Sequence, residues 1–260
     1  MVTGAGRGVG AALVTQLRSL GATVVGVDLA GADEIIDVSD PAACRELAQR
    51  VVPDVWVNNA GVLGNGSALT QPDSVITRTV EVNVLGVMWG SRAAANVMAT
   101  SGGGLIVNVG SLAAWVPVPG ETVYSASKHA VRAFSQGLNA ELRGTGVRVC
   151  TVCPDGVWSP MIADKLADPS AALSFSGRRL LTPDEVAAAI VRLIRRPSTV
   201  VDVPRSRGLF MRLMSTAPGL LGRFGGVFYK IGRRHQMRLA TKVRAGTVPY
   251  PDSERPPSEG

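Results

Sequence analysis

The chain has 260 residues, of which 46% are hydrophobic and 18% charged, enough for one large domain with a substantial core. No run approaches the roughly 18 uninterrupted apolar residues of a spanning helix. No basic segment leads into an apolar stretch as in a secretory signal, so a cytoplasmic setting is the expectation. Three cysteines, Cys44, Cys150 and Cys153, give no disulfide framework, and two histidines without acidic partners at ligand spacing offer no metal site.

In chain order, a glycine turn in "MVTGAGRGVG" comes first, with only Met1 and Val2 before it. A helix over 10–20 follows, then apolar strands at 22–28 and, shorter, at 34–37. A helix over 41–51, a strand at 54–60, a long helix over 73–98 and a strand at 105–111 continue the alternation. A helix over 124–143 precedes the strand at 147–153. The last helix, 183–195, has a full start signal in Thr182, Pro183 and Glu185, and a strand at 199–204 closes the series. Cys150 and Cys153 stand three apart on a strand and so face opposite sides, which speaks against a redox or metal pair.

Strands that are apolar nearly throughout, alternating with helices, predict an α/β fold. The expected form is a Rossmann-type doubly wound parallel sheet with helices on both faces, spanning 1–204. A central first strand normally begins several apolar residues earlier. The expectation is therefore a truncated first strand, exposed edges on both its neighbours, and a natural start upstream of Met1.

Beyond this lies a basic extension over 205–251. From Val203 to Pro251 there are ten basic residues and no Asp or Glu, and the rest of the chain carries 17 basic and 20 acidic residues. Its apolar residues recur at roughly helical spacing, weakened by Gly219, Gly222, Gly225 and Gly226. Two readings stand side by side. It is a hairpin packed beside the substrate loop or on a partner subunit, or it makes peripheral contact with an anionic membrane surface through 205–244. Nucleic acid is not expected as a partner. The polar stretch 252–260 reads as a disordered tail.

The chemistry is carried by two constellations. The turn Thr3-Gly4-x-x-x-Gly8-Val9-Gly10 can cradle a pyrophosphate, because glycines permit close backbone approach and a helix N-terminus offers N–H groups to an anion. Asp28, at the end of the next strand, can accept both ribose hydroxyls and repel a 2′-phosphate, favouring NAD over NADP. Arg7 within the turn pulls the other way, so NADP stays open. The second constellation is "YSASK", in which Tyr124 and Lys128 share one helix face. A lysine ammonium that close stabilises tyrosinate and lowers the tyrosine pKa towards neutrality, as an acid/base residue needs. Ser111 ends an apolar strand, where ligands bind in open α/β sheets.

Together with "NNAG" (58–61) and Asn83, these motifs resemble the short-chain dehydrogenase/reductase family, single-domain branch, over residues 1 to about 204. The resemblance implies that Tyr124 is the general acid/base and that Lys128 tunes it and holds the nicotinamide ribose. It implies that Ser111 binds the substrate oxygen and that Asn83 holds a water in a proton relay. Asn59, Ala60 and Gly61 would line the adenosine side, Asp37 and Val38 would meet the adenine, and Pro154, Val157 and Ser159 would clasp the carboxamide. It also implies a homodimer or homotetramer paired through the two long helices.

Two departures stand out. Only eight residues separate Asp28 from Asp37, too few for a crossover helix. Asp155 occupies the position where the family pattern has glycine, and it either attracts an oxidised nicotinamide or points to solvent. The segments after Ser111 and after Pro154 are apolar and aromatic, with Trp115, Val116, Pro117, Val118, Trp158, Met161, Leu173 and Phe175. They point to a hydrophobic secondary alcohol or ketone, steroid-, retinoid- or lipid-like, with Trp115, Trp158 and Met161 in contact. The alternative is a degenerate, non-catalytic member that binds nucleotide, a partner or a membrane surface.

Overall fold

The strands are β1 (Val2–Thr3), β2 (Gly26–Asp28), β3 (Glu34–Ile35), β4 (Val55–Asn58), β5 (Gly104–Val109), β6 (Val147–Pro154) and β7 (Val200–Val203). In the computed structural model they form one parallel sheet in the order β3-β2-β1-β4-β5-β6-β7. The structure describes residues 1–251, without the side chains of 218 and 220–224, so the tail reading over 252–260 lies outside the described residues. The strand order reverses between β1 and β4, which opens a crevice at the carboxyl ends of these strands.

Strand alternation sorts the core into two layers. Val57, Val107 and Val152 face helices α1 (Gly8–Ser19) and α7 (Pro183–Arg195), where Leu13 and Ile190 are fully buried. Trp56, Ile106 and Val149 face α2 (Pro41–Val51) and the helix α4 (Val87–Thr100), with Leu47 and Met98. Cys150 and Cys153 lie in different apolar clusters, both free and buried. The start signal of α7 is realised as a capping box between Thr182 and Glu185.

Several boundaries differ from the sequence expectation. β1 has only two residues, yet it stays central: Val2 pairs with both Gly26 and Val57, and the Met1 carbonyl accepts from Val57 N–H. Its neighbours are bridged rather than exposed at that level. β2 begins at Gly26, not at Ala22. As the spacing required, no helix separates β2 from β3.

The expected single helix over 73–98 is interrupted. α3 (Asp73–Val80) passes through a π-helical segment, Glu81–Gly86, into α4. Asn83 sits in that widened turn, a feature frequent at functional sites. The fifth helix, α5 (Thr122–Glu141), starts two residues before Tyr124. A buried polar ladder locks it to the sheet. Asn58 Nδ2 donates to Asn108 Oδ1 at 2.8 Å, and Asn108 Nδ2 donates to Ser135 Oγ on α5 at 2.9 Å.

After α6 (Pro160–Ala163) and a 3-10 segment at Pro169–Phe175, the basic extension forms α8 (Arg205–Ser215) and α9 (Pro218–Arg244). α9 stays helical through its glycines because packing outweighs propensity. A Cβ at Gly232 would stand 1.9 Å from the Ala172 carbonyl oxygen, so only glycine permits this approach. Gln236, fully buried, donates to the carbonyls of Lys165 at 2.8 Å and Asp168 at 2.7 Å. The extension is thus a hairpin laid on the segment that follows β6.

Candidate active site

A cavity of ≈ 580 Å³ runs along the carboxyl ends of β1, β2, β4, β5 and β6, a size suited to a cofactor-and-substrate site. At one end, Gly4 (φ +65°) and Gly8 (φ +56°) turn the chain into α1. The N-cap residue Arg7 supplies no side-chain cap there, and the N-terminus of α1, the kind of place where backbone N–H groups favour an anion, lies at this end of the cavity. A Cβ at Gly10 would lie 1.9 Å from the Gly4 carbonyl, so that glycine holds loop and helix together.

Gly4, Arg7, Gly8, Val9, Asp28, Asp37, Val38, Asn59, Ala60 and Gly61 line this end. Thr3 and Gly10 stand outside this lining. Thr3 is buried, and its hydroxyl accepts the N–H groups of Asn59 (2.9 Å) and Ala60 (3.0 Å). It therefore joins the glycine turn to the loop after β4. Asp28 Oδ2 accepts from Gly6 N–H at 2.9 Å, so a carboxylate stands beside the turn, where ribose hydroxyls meet an acid in this class of fold. Asp37 is held by Ser39 and by Arg78 at 3.1 Å. Burial opposes its ionisation, but these partners outweigh it and lower its pKa.

Toward the middle, Ser111, Tyr124 and Lys128 converge. Lys128 Nζ donates to the Val109 carbonyl at 2.9 Å and lies 5.6 Å from the Tyr124 ring centre. Burial lowers its pKa to about 8, with the Cys153 thiol opposing. The expected depression of Tyr124 is not found. Burial, then the negative charge of Glu121, raise it above its ordinary value, and the hydrogen bond with Ser111 only partly offsets them. A lysine that is itself desolvated stabilises tyrosinate less than the helical spacing alone implies.

Asn83 is buried within the π-helical turn. Its Oδ1 accepts Val62 N–H at 2.8 Å, and its Nδ2 donates to the Val62 carbonyl at 2.9 Å and to Ser127 Oγ at 3.2 Å. It braces the chain beside Gly61, where a Cβ would stand 3.2 Å from Asn83 Oδ1 and 3.8 Å from Lys128 Nζ.

Pro154, Val157 and Ser159 line the cavity with Met161, Val116, Pro117, Val118 and Leu173, and Ser159 stands beside the glycine turn, its Cβ 3.6 Å from where a Cβ at Gly8 would lie. Trp115 and Trp158 stand outside this lining. The Trp115 indole N–H donates to Asp202 at 2.9 Å, and its ring lies between the Arg132 and Arg212 guanidinium groups. Trp158 is held in the loop by its N–H to the Leu181 carbonyl at 2.8 Å. Phe175 packs with Ile162 and Ala171 instead of facing the cavity.

The lining residues that were not anticipated include Glu121, Arg207, Phe210 and Phe228. The periodicity of the extension could have suggested the two phenylalanines, but no local signal marks Glu121. Asp155 lines the cavity and does not simply point to solvent. It pairs with Arg207 on α8 at 2.8 Å.

Among known proteins, the short chain dehydrogenase model matches residues 34–170. The "Probable oxidoreductase EphD" of Mycobacterium tuberculosis H37Rv is 33% identical over 80% of this chain and 41% of its own length, so the chain spans well under half of that relative. The 2-(R)-hydroxypropyl-CoM dehydrogenase of Xanthobacter autotrophicus is 31% identical over 78% of this chain and 93% of its own. A short chain dehydrogenase from Burkholderia cenocepacia J2315, solved in complex with NADP, superposes with a TM-score of 0.75 at 26% identity, covering 85% of this chain and 95% of that one. With the parallel sheet, its switch point and the matched region on one chain, this protein belongs to the short-chain dehydrogenase family.

Proposed function

We propose that the chain is a nicotinamide-dependent oxidoreductase acting on a hydrophobic secondary alcohol or its ketone. The observation that carries this reading is the convergence of Ser111, Tyr124 and Lys128 on one cavity whose other end is a glycine turn and Asp28. When bound, the nicotinamide takes or gives the hydride, and its oxidised form carries positive charge. The residues present fit such a cofactor. The start of α1 and the glycine turn suit its pyrophosphate, Asp28 and Asn59 its adenosine ribose, Asp37 and Val38 its adenine, and Pro154, Val157 and Ser159 its carboxamide.

In the oxidation direction, ionised Tyr124 accepts the hydroxyl proton of the alcohol while Ser111 hydrogen-bonds the same oxygen. In reduction Tyr124 returns that proton. A cation in the cavity favours tyrosinate, which would offset the burial that raises Tyr124 in the protein alone. Lys128, fixed by the Val109 carbonyl, supplies part of that charge and a donor for the nicotinamide ribose.

Asp28 supports NAD as the preferred cofactor. The apolar residues of the lining support a steroid-, retinoid- or lipid-like substrate. Pairing of copies through α4 and α5 follows the family habit and is read by light scattering. No helix among the described residues is long and apolar enough to cross a membrane. Peripheral contact of the extension with a membrane surface is part of the proposal.

The raised pKa of Tyr124 favours one second reading, a member that binds cofactor without turnover. Tyr124→Phe separates the two. Turnover of a panel of secondary alcohols should fall by about 10²–10⁴ while NADH binding, followed by energy transfer from tryptophan, is kept. A rate that does not change removes Tyr124 from the chemistry.

A further inference from the structure

The proposed chemistry leaves two cavity carboxyl groups unused, Asp155, which is ion-paired with Arg207, and Glu121. Glu121 is 3% exposed and lines the cavity one helical turn before Tyr124, a rise of ~5 Å. Its main chain is fixed, because its N–H donates to the Val118 carbonyl and its own carbonyl accepts from Ser125 N–H. Oε1 accepts from Ser174 Oγ on the 3-10 segment and from Asn65 Nδ2 at 3.5 Å. Oε2 has no hydrogen-bond partner among the described residues.

No lysine or arginine forms an ion pair with it there. The surrounding charges it feels are Asp168, which disfavours ionisation, and Lys165, which favours it weakly. From its own helix it faces Tyr124, whose ionisation it opposes. Tying Ser174 to α5 needs only an acceptor, which a glutamine would supply without a buried charge. A buried carboxyl with one oxygen unpartnered among the described residues, in a cavity also lined by Val118, Leu173 and Met161, is suited to a ligand group.

We propose that Glu121 is a specificity-determining residue that accepts a hydrogen bond from a second polar group, a hydroxyl or a primary ammonium, on the hydrophobic alcohol. That group lies a few bonds from the carbinol carbon, because Glu121 and Tyr124 are one turn apart. Burial raises the Glu121 pKa to about 7, so near neutrality the ionised form is accessible to either donor. The inference rests on the dehydrogenase reading for the position of the substrate and deepens it.

Three probes test it: hexane-1,5-diol, 6-methoxyhexan-2-ol and 6-aminohexan-2-ol. Each is titrated into the full chain with NADH present, so that no oxidation occurs, and binding is followed by ligand-observed NMR. The diol or the amine is expected to bind about tenfold more tightly than the methyl ether, as one hydrogen bond to a charged acceptor implies. In Glu121→Leu that ratio should fall to about one. Glu121→Gln, which keeps an acceptor for Ser174, should retain the ratio for a hydroxyl and lose it for an ammonium, which identifies the donor. Equal binding of all three by the wild type, or a ratio unchanged in both variants, overturns the inference. Oxidation by NAD is measured separately on the same probes. If none is oxidised while the binding ratio holds, the dehydrogenase reading fails and the Glu121 contact stands.

Discussion

Arg207 Nε lies 2.8 Å from Asp155 Oδ2, and both side chains are less than one-fifth exposed. The pair joins the loop after β6 to α8, and Arg207 Nη2 also donates to Ser176 Oγ at 2.8 Å. Two oddities of the sequence thereby explain each other. An acid stands where the family pattern has glycine, and a basic segment follows the minimal fold. The acid accepts the segment's arginine, and the segment brings Phe210 and Phe228 into the cavity wall, their rings 6.0 Å apart.

This pair is held at a desolvation cost, since burial outweighs the guanidinium and raises the Asp155 carboxyl. Removing one partner leaves the other charge buried and alone. Asp155→Ala is therefore expected to lose about 3 kcal/mol of stability, and Arg207→Met a similar amount. The double variant should recover most of the loss, because neither charge remains to be desolvated. Urea unfolding of the four proteins gives the coupling, and additive losses would mean the two residues do not act as a pair.

Asp28 lines the cavity and takes the Gly6 N–H, so its charge is fixed at the adenosine end. Asp28→Asn keeps an acceptor for the loop and removes the repulsion toward a 2′-phosphate. The ratio of NADPH to NADH affinity should rise at least tenfold, mostly through tighter NADPH binding. Fluorescence titration of both cofactors measures it. An unchanged ratio would place cofactor selection elsewhere, with Arg7 the next residue to change.

The parts of the fold legible in the sequence were those with strong local signals. Strands β5 and β6, apolar nearly throughout, and the capped helix α7 fall where their patterns put them, because burial on both faces leaves little choice of residue type. The positions of Tyr124 and Lys128 on one helix face followed from i, i+4 spacing. What was not legible depends on contacts distant in sequence. The indole N–H of Trp115 is taken by Asp202, 87 residues away, a contact that no local pattern announces. The sign of the Tyr124 shift needed the depth of burial and the presence of Glu121, neither of which is a property of Tyr-x-x-x-Lys. Asn83 gave no warning of its π turn, since hydrogen bonds to Val62 and Ser127 hold it there.

On α8, Leu209, Phe210 and Leu213 form one stripe, 60%, 38% and 62% exposed, in a segment without an acidic residue. Phe210 also lines the cavity, so this stripe adjoins the substrate end. The chain is expected to co-sediment with vesicles containing phosphatidylserine and not with neutral vesicles, and to be released by high salt. Leu209→Glu with Leu213→Glu should abolish binding without changing NADH affinity. If the variant instead converts a dimer to a monomer while vesicle binding was never seen, the stripe is an interface between copies.

The last expectation concerns pH and Glu121. Its folded pKa of about 7 stands above the ordinary 4.5, with burial as the largest cause. Between those two values the folded chain binds more protons at this site than the unfolded chain does. The site's contribution to stability therefore falls as pH rises through the window and is flat above it, a loss on the order of 3 kcal/mol. Glu121→Gln removes the titration and keeps the acceptor for Ser174. Its melting temperature relative to wild type should thus be higher at pH 8 than at pH 5, by several degrees. The same change removes a negative charge that opposes tyrosinate, so the acidic limb of alcohol oxidation, which tracks ionisation of Tyr124, should move to lower pH. Melting curves that stay parallel across pH 5–8, with a pH–rate profile that does not move, would mean that Glu121 is ionised at little cost and is electrically remote from Tyr124.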